Sequence, residues 1–146
     1  MSGSVDEVIR AWEPSLGSRT IVAQPDTGIP SIALSDTSLV WVGTHGPDHT
    51  DGGYTAAELY WAPFPAGMAT ASIGGSTSLP AISGLMSMQT WGDFAAVLGT
   101  DPLMKLDLFV VRLSDGHLWT IHPRPGTTYM RLLAVTTTEI LFGTRV

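Results

Sequence analysis

The sequence predicts an all-β protein assembled from a repeated four-stranded antiparallel unit. Short apolar segments alternate with Gly, Pro, Asp and Ser residues along the whole chain, which is typical of strands joined by tight turns. No stretch shows a sustained 3.6-residue apolar period, so we expect few helices or none. An apolar segment ending in Gly-Thr occurs three times, at residues 40–44, 97–100 and 141–144, and this recurrence indicates an internal repeat.

Composition limits the classes of function. With 146 residues the chain has the size of one domain, and only 14% of its residues are charged, compared with roughly 25% in ordinary globular domains. Such a chain has apolar surface to bury, and an oligomer is one place to bury it. The net charge of −6 predicts no nucleic-acid partner and no anionic membrane partner. The absence of cysteine excludes disulfides, thiolate metal ligands and cysteine nucleophiles.

The chain divides in order into paired strands. Residues 1–6 are expected to form a flexible leader without an apolar targeting segment, so a cytoplasmic location is the default expectation. The strands are then predicted within 7–23, 31–73, 81–122 and 130–144. Loops rich in Pro and Gly separate these ranges, and Ser114-Asp115-Gly116 is a hairpin turn signal between two apolar strands.

Repeated acids set the phase of the units. Glu7, Glu58 and Asp107 each precede two apolar residues, at steps of 51 and 49. If a unit has four strands a to d, the acids begin strand c and the Gly-Thr signature ends strand b. The chain then reads as two whole units, 31–73 and 81–122, with strands c and d alone at 7–23 and strands a and b alone at 130–144.

Four short antiparallel strands in a unit of about 50 residues predict the blade of a β-propeller. Both half blades leave a strand edge unpaired, and such edges pair readily with another chain. A two-fold homodimer would join each C-terminal half to the N-terminal half of the other copy, giving a six-bladed ring. The alternatives are a lone irregular β-sandwich and a fragment of a longer propeller. The predicted assembly interface consists of Glu7, Val8, Ile9, Ile140, Leu141, Phe142, Gly143 and Thr144.

Residues 32–41 and 108–116 each look like a strand followed by a polar turn that leads into the next strand, which in the first range begins at Leu39 and after the second range at His117. In this they resemble the blades of TolB-like and WD40-like propellers. The resemblance extends over almost the whole chain and implies fold. It implies no activity, because the sequence has neither a Trp-Asp dipeptide at a blade end nor a Gly-Gly kelch signature.

The longest polar loop, residues 45–57, is the candidate ligand site. Ligand residues concentrate on long loops, and we expect His45, Asp48, His49, Asp51 and Tyr54 to contact a small molecule or carbohydrate. The His45-x-x-Asp48-His49-x-Asp51 spacing could also hold a divalent transition metal, although it matches no established metal site, so no metal or other cofactor is predicted.

The leading functional hypothesis is a self-assembling scaffold or binding module. A lectin-like or other small-ligand binder is the second hypothesis and an enzyme the third, since there is no Gly-x-Ser-x-Gly elbow. The recurring acids are expected to bind turn amides or to join neighbouring blades. Exposed tryptophans could stack on sugars, but three of the five, Trp41, Trp61 and Trp119, are expected to pack between sheets, leaving Trp91 exposed. His117 and His122 are expected at the surface.

Overall fold

This computed structural model describes residues 8–23, 28–35, 37–45, 56–80, 82, 84–101, 103–136 and 138–145. The predicted all-β class is confirmed, because these residues form twelve strands and no helix, and so no helix among them could span a membrane. The strands are β1 (Val8–Glu13), β2 (Gly17–Ala23), β3 (Gly28–Leu34), β4 (Ser38–His45), β5 (Ala56–Pro63), β6 (Gly75–Leu79), β7 (Gly84–Trp91), β8 (Phe94–Thr100), β9 (Leu106–Arg112), β10 (His117–Ile121), β11 (Thr128–Val135) and β12 (Ile140–Arg145).

The strands form four antiparallel sheets whose members follow chain order. The first sheet is β1–β2, the second β3–β4–β5–β6, the third β7–β8–β9–β10 and the fourth β11–β12. Every neighbouring pair of strands is antiparallel and adjacent in sequence, so each sheet is a meander.

The sheets stack face to face through three apolar clusters. Side chains alternate across a strand, so β4 presents Trp41 to the first sheet and Val42 to the third. In the same way β8 presents Val97 to the second sheet and Leu98 to the fourth. The two central sheets are therefore apolar on both faces, and this explains why their middle strands are continuous apolar runs in the sequence.

The Asp-Gly hairpin between β9 and β10 forms where the sequence predicts it. Gly116 has a φ of +70°, a conformation that favours glycine, and its N–H donates to the carbonyl of Arg112 at 2.8 Å. The Asp115 carboxylate accepts the backbone N–H of His117 at 3.0 Å. The turn residues thus satisfy the backbone groups that the strands leave unpaired.

The fourth strand of the second sheet lies later than the sequence predicts. The unit predicted over 31–73 would end its fourth strand by residue 73, but the partner of β5 is β6, which begins at Gly75. Residues 64–74 instead lie against the first sheet, where Ala71 donates its N–H to the carbonyl of Ile21 at 2.7 Å and buried Arg19 donates to the carbonyls of Pro65 and Ala69, both at 3.1 Å. This long-range hydrogen bonding is invisible to local sequence patterns.

Candidate functional site: the chain-end sheets and the loop face

In the first and fourth sheets, β1 and β12 each have one edge without a partner strand among the described residues. In the four-stranded sheets β4 pairs with β5 and β8 pairs with β9, whereas in the described part of the chain β12 pairs only with β11 and β1 only with β2. The backbone N–H and C=O groups along these two edges therefore face outward, which makes β1 and β12 templates for a further strand.

The predicted interface residues divide between exposed and packed positions. Val8, Leu141 and Phe142 are exposed, as are Thr144 and its strand end. Ile9 instead packs against the second sheet, and Ile140 packs partly against the third. Gly143 is half-buried in β12, and Glu7 lies outside the described residues.

The turn before β12 has the same hydrogen bonds as the turn before β4. Ser35 donates its N–H to the Ser38 carbonyl at 2.9 Å and accepts the Ser38 N–H on its hydroxyl at 3.0 Å. Thr136 makes the same two bonds with Glu139, at 2.8 and 2.9 Å. The two hairpins are therefore equivalent from the turn outward, which makes Ile140 the counterpart of Leu39 as the first residue paired across the hairpin.

This equivalence puts the third Gly-Thr signature one residue out of phase with the first two. Thr44 and Thr100 donate their hydroxyls to the carbonyls of Gly28 and Gly84, each at 3.3 Å. In β12, by contrast, Phe142 lies opposite Leu132 on the face that packs against the third sheet. In β12 one residue fewer separates the turn from the glycine than in β4, so Phe142 corresponds to Trp41. Gly143 therefore lies on the opposite face of its sheet from Gly43, and the alignment of these two glycines by sequence is wrong.

Two of the recurring acids, Glu58 and Asp107, bind side chains on or next to strand d. Glu58 accepts hydrogen bonds from the hydroxyls of Ser76 and Tyr60, at 2.5 and 3.1 Å, and Asp107 lies 2.8 Å from Nδ1 of His122. Ser76 is on strand d, Tyr60 is on the same strand as Glu58, and His122 directly follows strand d, so these contacts differ in kind from the predicted bonds to turn amides.

An apolar pocket, here called the outer pocket, opens between the third and fourth sheets. Its volume is about 360 Å³. Trp119 lies at its centre, with its ring 6.4 Å from that of Phe94 and beneath the guanidinium of Arg112 at 5.5 Å. The outer pocket is lined by Phe94, Val110, Arg112, Trp119, Ile121 and Ile140, together with residues of the turn before β12.

An ion pair fixes the polar end of the outer pocket. Arg112 donates two hydrogen bonds to the Asp115 carboxylate, and these, followed by the His117 N–H, lower the pKa of Asp115 to about 2 from 3.8. Because the pKa is lower in the folded chain, this carboxylate favours folding above about pH 4, and the contribution is lost as the pH falls through about 2.

We expect a carboxyl-carbon NMR titration of Asp115 to give a midpoint near pH 2. The substitution Arg112→Gln should move it back toward 3.8, because it removes the guanidinium that stabilises the ionised form. A wild-type midpoint already near 3.8 would contradict the ion pair.

The predicted loop site lies mostly outside the described residues. This applies to Asp48, His49, Asp51 and Tyr54, while the backbone of His45 ends β4 and pairs with Ala56. Among the described residues no group of three His, Cys, Asp or Glu side chains is arranged to hold a metal ion.

The loop face is the end of the sheets at which strand b connects to strand c and each unit connects to the next. Its described part contains a polar cleft that the sequence did not reveal. It has a volume of about 610 Å³ and lies between the β8–β9 and β10–β11 connections. The His122–Asp107 pair lines it, together with Lys105 and Arg124. The His122 side chain is exposed, as the sequence predicts, but its carboxylate partner is separated from it by 15 residues, so only the β9–β10 pairing brings them together.

Comparison with known proteins gives no family assignment: no family model, no curated protein and no solved structure matches this chain. The geometry defines the chain as an all-β protein of stacked antiparallel sheets, compatible with blade-like structure.

Proposed function

We propose that this protein is a self-assembling scaffold whose two copies close a six-bladed β-propeller. In this ring β12 of each copy pairs with β1 of the other, so that β11 and β12 followed by the partner's β1 and β2 form a complete four-stranded blade. The observation that carries the proposal is the sheet series of two, four, four and two strands, with free edges on the strands that would meet.

The exposed apolar side chains support this closure. Leu141 is 48% exposed on the face of the fourth sheet that points away from the third. Ile32 and Leu34 are exposed on the face of the second sheet that points toward the first sheet, which lacks strands a and b. In the ring, the partner's fourth sheet would cover Ile32 and Leu34. Two incomplete surfaces would thereby become apolar interfaces like the one between the second and third sheets.

The internal hairpins also supply the strand register. Ile140 corresponds to Leu39, which lies opposite Ala62. Glu13 is the last paired residue of β1 and Arg112 the last paired residue of β9, and the carbonyl of each accepts a backbone hydrogen bond from the turn that follows. The residues before them, Trp12 and Val111, are therefore counterparts. Val111 lies opposite Ala95, as Ala62 lies opposite Leu39. If the shared blade follows the same register, Ile140 would lie opposite Trp12 of the partner subunit and Phe142 opposite the partner's Arg10.

Solution mass tests the proposal directly. We expect light scattering at micromolar concentration to give about twice the chain mass of 15.5 kDa. Two copies fused in tandem through a short linker should form a monomeric ring, because the linker replaces one connection between strands b and c. A wild-type monomer, or a tandem chain that associates into larger species, would contradict ring closure.

A small-ligand role for the loop face is the second candidate, and the cleft around His122 and Asp107 favours it. Two cationic side chains, Lys105 and Arg124, lie beside that pair. This arrangement suits a small anion with several hydrogen-bond acceptors. Calorimetric titration with a panel of carboxylates and phosphates, comparing the wild type with Arg124→Ala, tests it; equal heats from both proteins would count against it.

A further inference from the structure

The outer pocket is an interface that lacks one wall. In the complete pair of sheets, Trp61 of β5 lies opposite Gly75 of β6, and its ring packs in the cluster that includes Val111 and Leu113 of the third sheet. Gly75 is required there because a Cβ at this position would lie 2.4 Å from the Trp61 ring. A tryptophan on the outer half of one sheet is thus covered by strand c of the next sheet.

The third sheet presents a tryptophan at the equivalent place without such a cover. Here the aromatic residue is on the outer strand, since Trp119 of β10 lies opposite Val110 of β9. The fourth sheet consists only of strands a and b, so it has no strand c to pack against this face, and Trp119 remains 38% exposed. The missing wall corresponds to the third-sheet residues of the cluster against which Trp61 packs, and Val111 is the member of that cluster at the end of strand c.

Trp12 is the counterpart of Val111 at the other end of the chain. Both residues directly precede the last paired residue of strand c, and each points away from the sheet that follows it. Val111 is buried there, whereas Trp12 is 72% exposed although it is paired with Ser18 within its sheet. An exposed tryptophan at one end and an uncovered tryptophan at the other are complementary.

We propose that Trp12 of the partner subunit fills the outer pocket and is the principal apolar anchor of the dimer. The proposal rests on the ring closure proposed above and specifies its interface. The register places the partner's Trp12 beside Ile140, which itself lines the pocket. Its indole would then lie against Trp119 and Ile121, and the Arg112 guanidinium would close the polar end. The two-fold axis makes this contact occur twice.

Sedimentation equilibrium of Trp12→Ala tests the anchor. Because Trp12 is exposed in the isolated chain, the variant should keep the wild-type circular dichroism spectrum. We expect its dimer dissociation constant to rise at least about 100-fold, since a tenfold loss at each of two sites multiplies. Leu103→Ala is the control: Leu103 is exposed in the β8–β9 connection, at the end of the third sheet opposite the β9–β10 turn, and this variant should dimerise as tightly as the wild type.

A second pair of variants reads the pocket itself. Ile121→Glu should weaken the dimer as strongly as Trp12→Ala, and combining the two should add little, because both remove the same contact. A dimer of Trp12→Ala as tight as the wild type would overturn the anchor while leaving the ring intact. A monomeric wild type would instead overturn the ring, and the anchor with it.

Discussion

Leu141→Glu is expected to convert the dimer into monomers without unfolding the chain. Leu141 lies on the free face of the fourth sheet, so a glutamate there remains solvated in the isolated subunit. In the ring it would face the apolar side chains Ile32 and Leu34 of the partner. Losing the burial of one leucine costs about 1.5–3 kcal/mol, and the two-fold axis doubles it. The dissociation constant should therefore rise at least about 100-fold.

The measurement is light scattering over a concentration series, with circular dichroism to confirm the fold. Leu103→Glu is the matched control, because Leu103 is exposed in the β8–β9 connection on the loop face and its substitution removes an equally large side chain. The control should remain dimeric. A Leu141→Glu variant with the mass of the wild-type dimer would show that this face is not buried between copies.

Trp41→Ala is expected to have the largest effect on stability. Trp41 is fully buried in β4, its ring stacks on Tyr60 at 5.6 Å, and it belongs to the cluster that holds the first sheet to the second. Replacing a buried aromatic side chain by alanine costs about 3–5 kcal/mol. A domain of ordinary stability has about 5–15 kcal/mol in total, so the loss approaches global unfolding.

Urea denaturation followed by circular dichroism measures this loss. Trp41→Phe keeps a ring against Tyr60, and its smaller loss would be measurable even if the alanine variant did not fold. Trp91→Ala removes a half-exposed tryptophan and should change the free energy of unfolding by less than about 0.5 kcal/mol. Equal losses at positions 41 and 91 would contradict the packing of the second cluster.

The sequence predicts the fold class and most strand positions because those depend on local patterns. Alternating and continuous apolar runs bounded by turn residues correspond to strands, and the Asp115-Gly116 turn forms as predicted. Trp41 is buried and Trp61 packs in the first cluster, as expected of tryptophans within strands. Trp119 departs from this expectation, because the fourth sheet has only two strands and leaves Trp119 38% exposed.

The candidate sites were less predictable because they depend on contacts distant in sequence. The predicted interface residues follow from the repeat, but β12 has one residue fewer than β4 between its turn and the Gly-Thr signature, which moves Phe142 to the opposite face. The outer pocket joins residues of β8, β9, β10 and β12, and no local motif marks it. The only sequence signal for Trp12 is that it is a tryptophan in a strand, β1, one edge of which has no partner strand among the described residues.

The sequence alone determined that the chain is all-β and that its units repeat, because backbone pairing follows from apolar periodicity and turn residues within a few positions. Tertiary structure alone decided which face each strand presents. It also decided where β6 begins, since Arg19 and Ile21 bind the segment before it. The face that a residue presents depends on the number of residues between the turn and that residue. In β12 one residue fewer precedes the Gly-Thr signature than in β4, and this reverses the faces of Phe142 and Gly143.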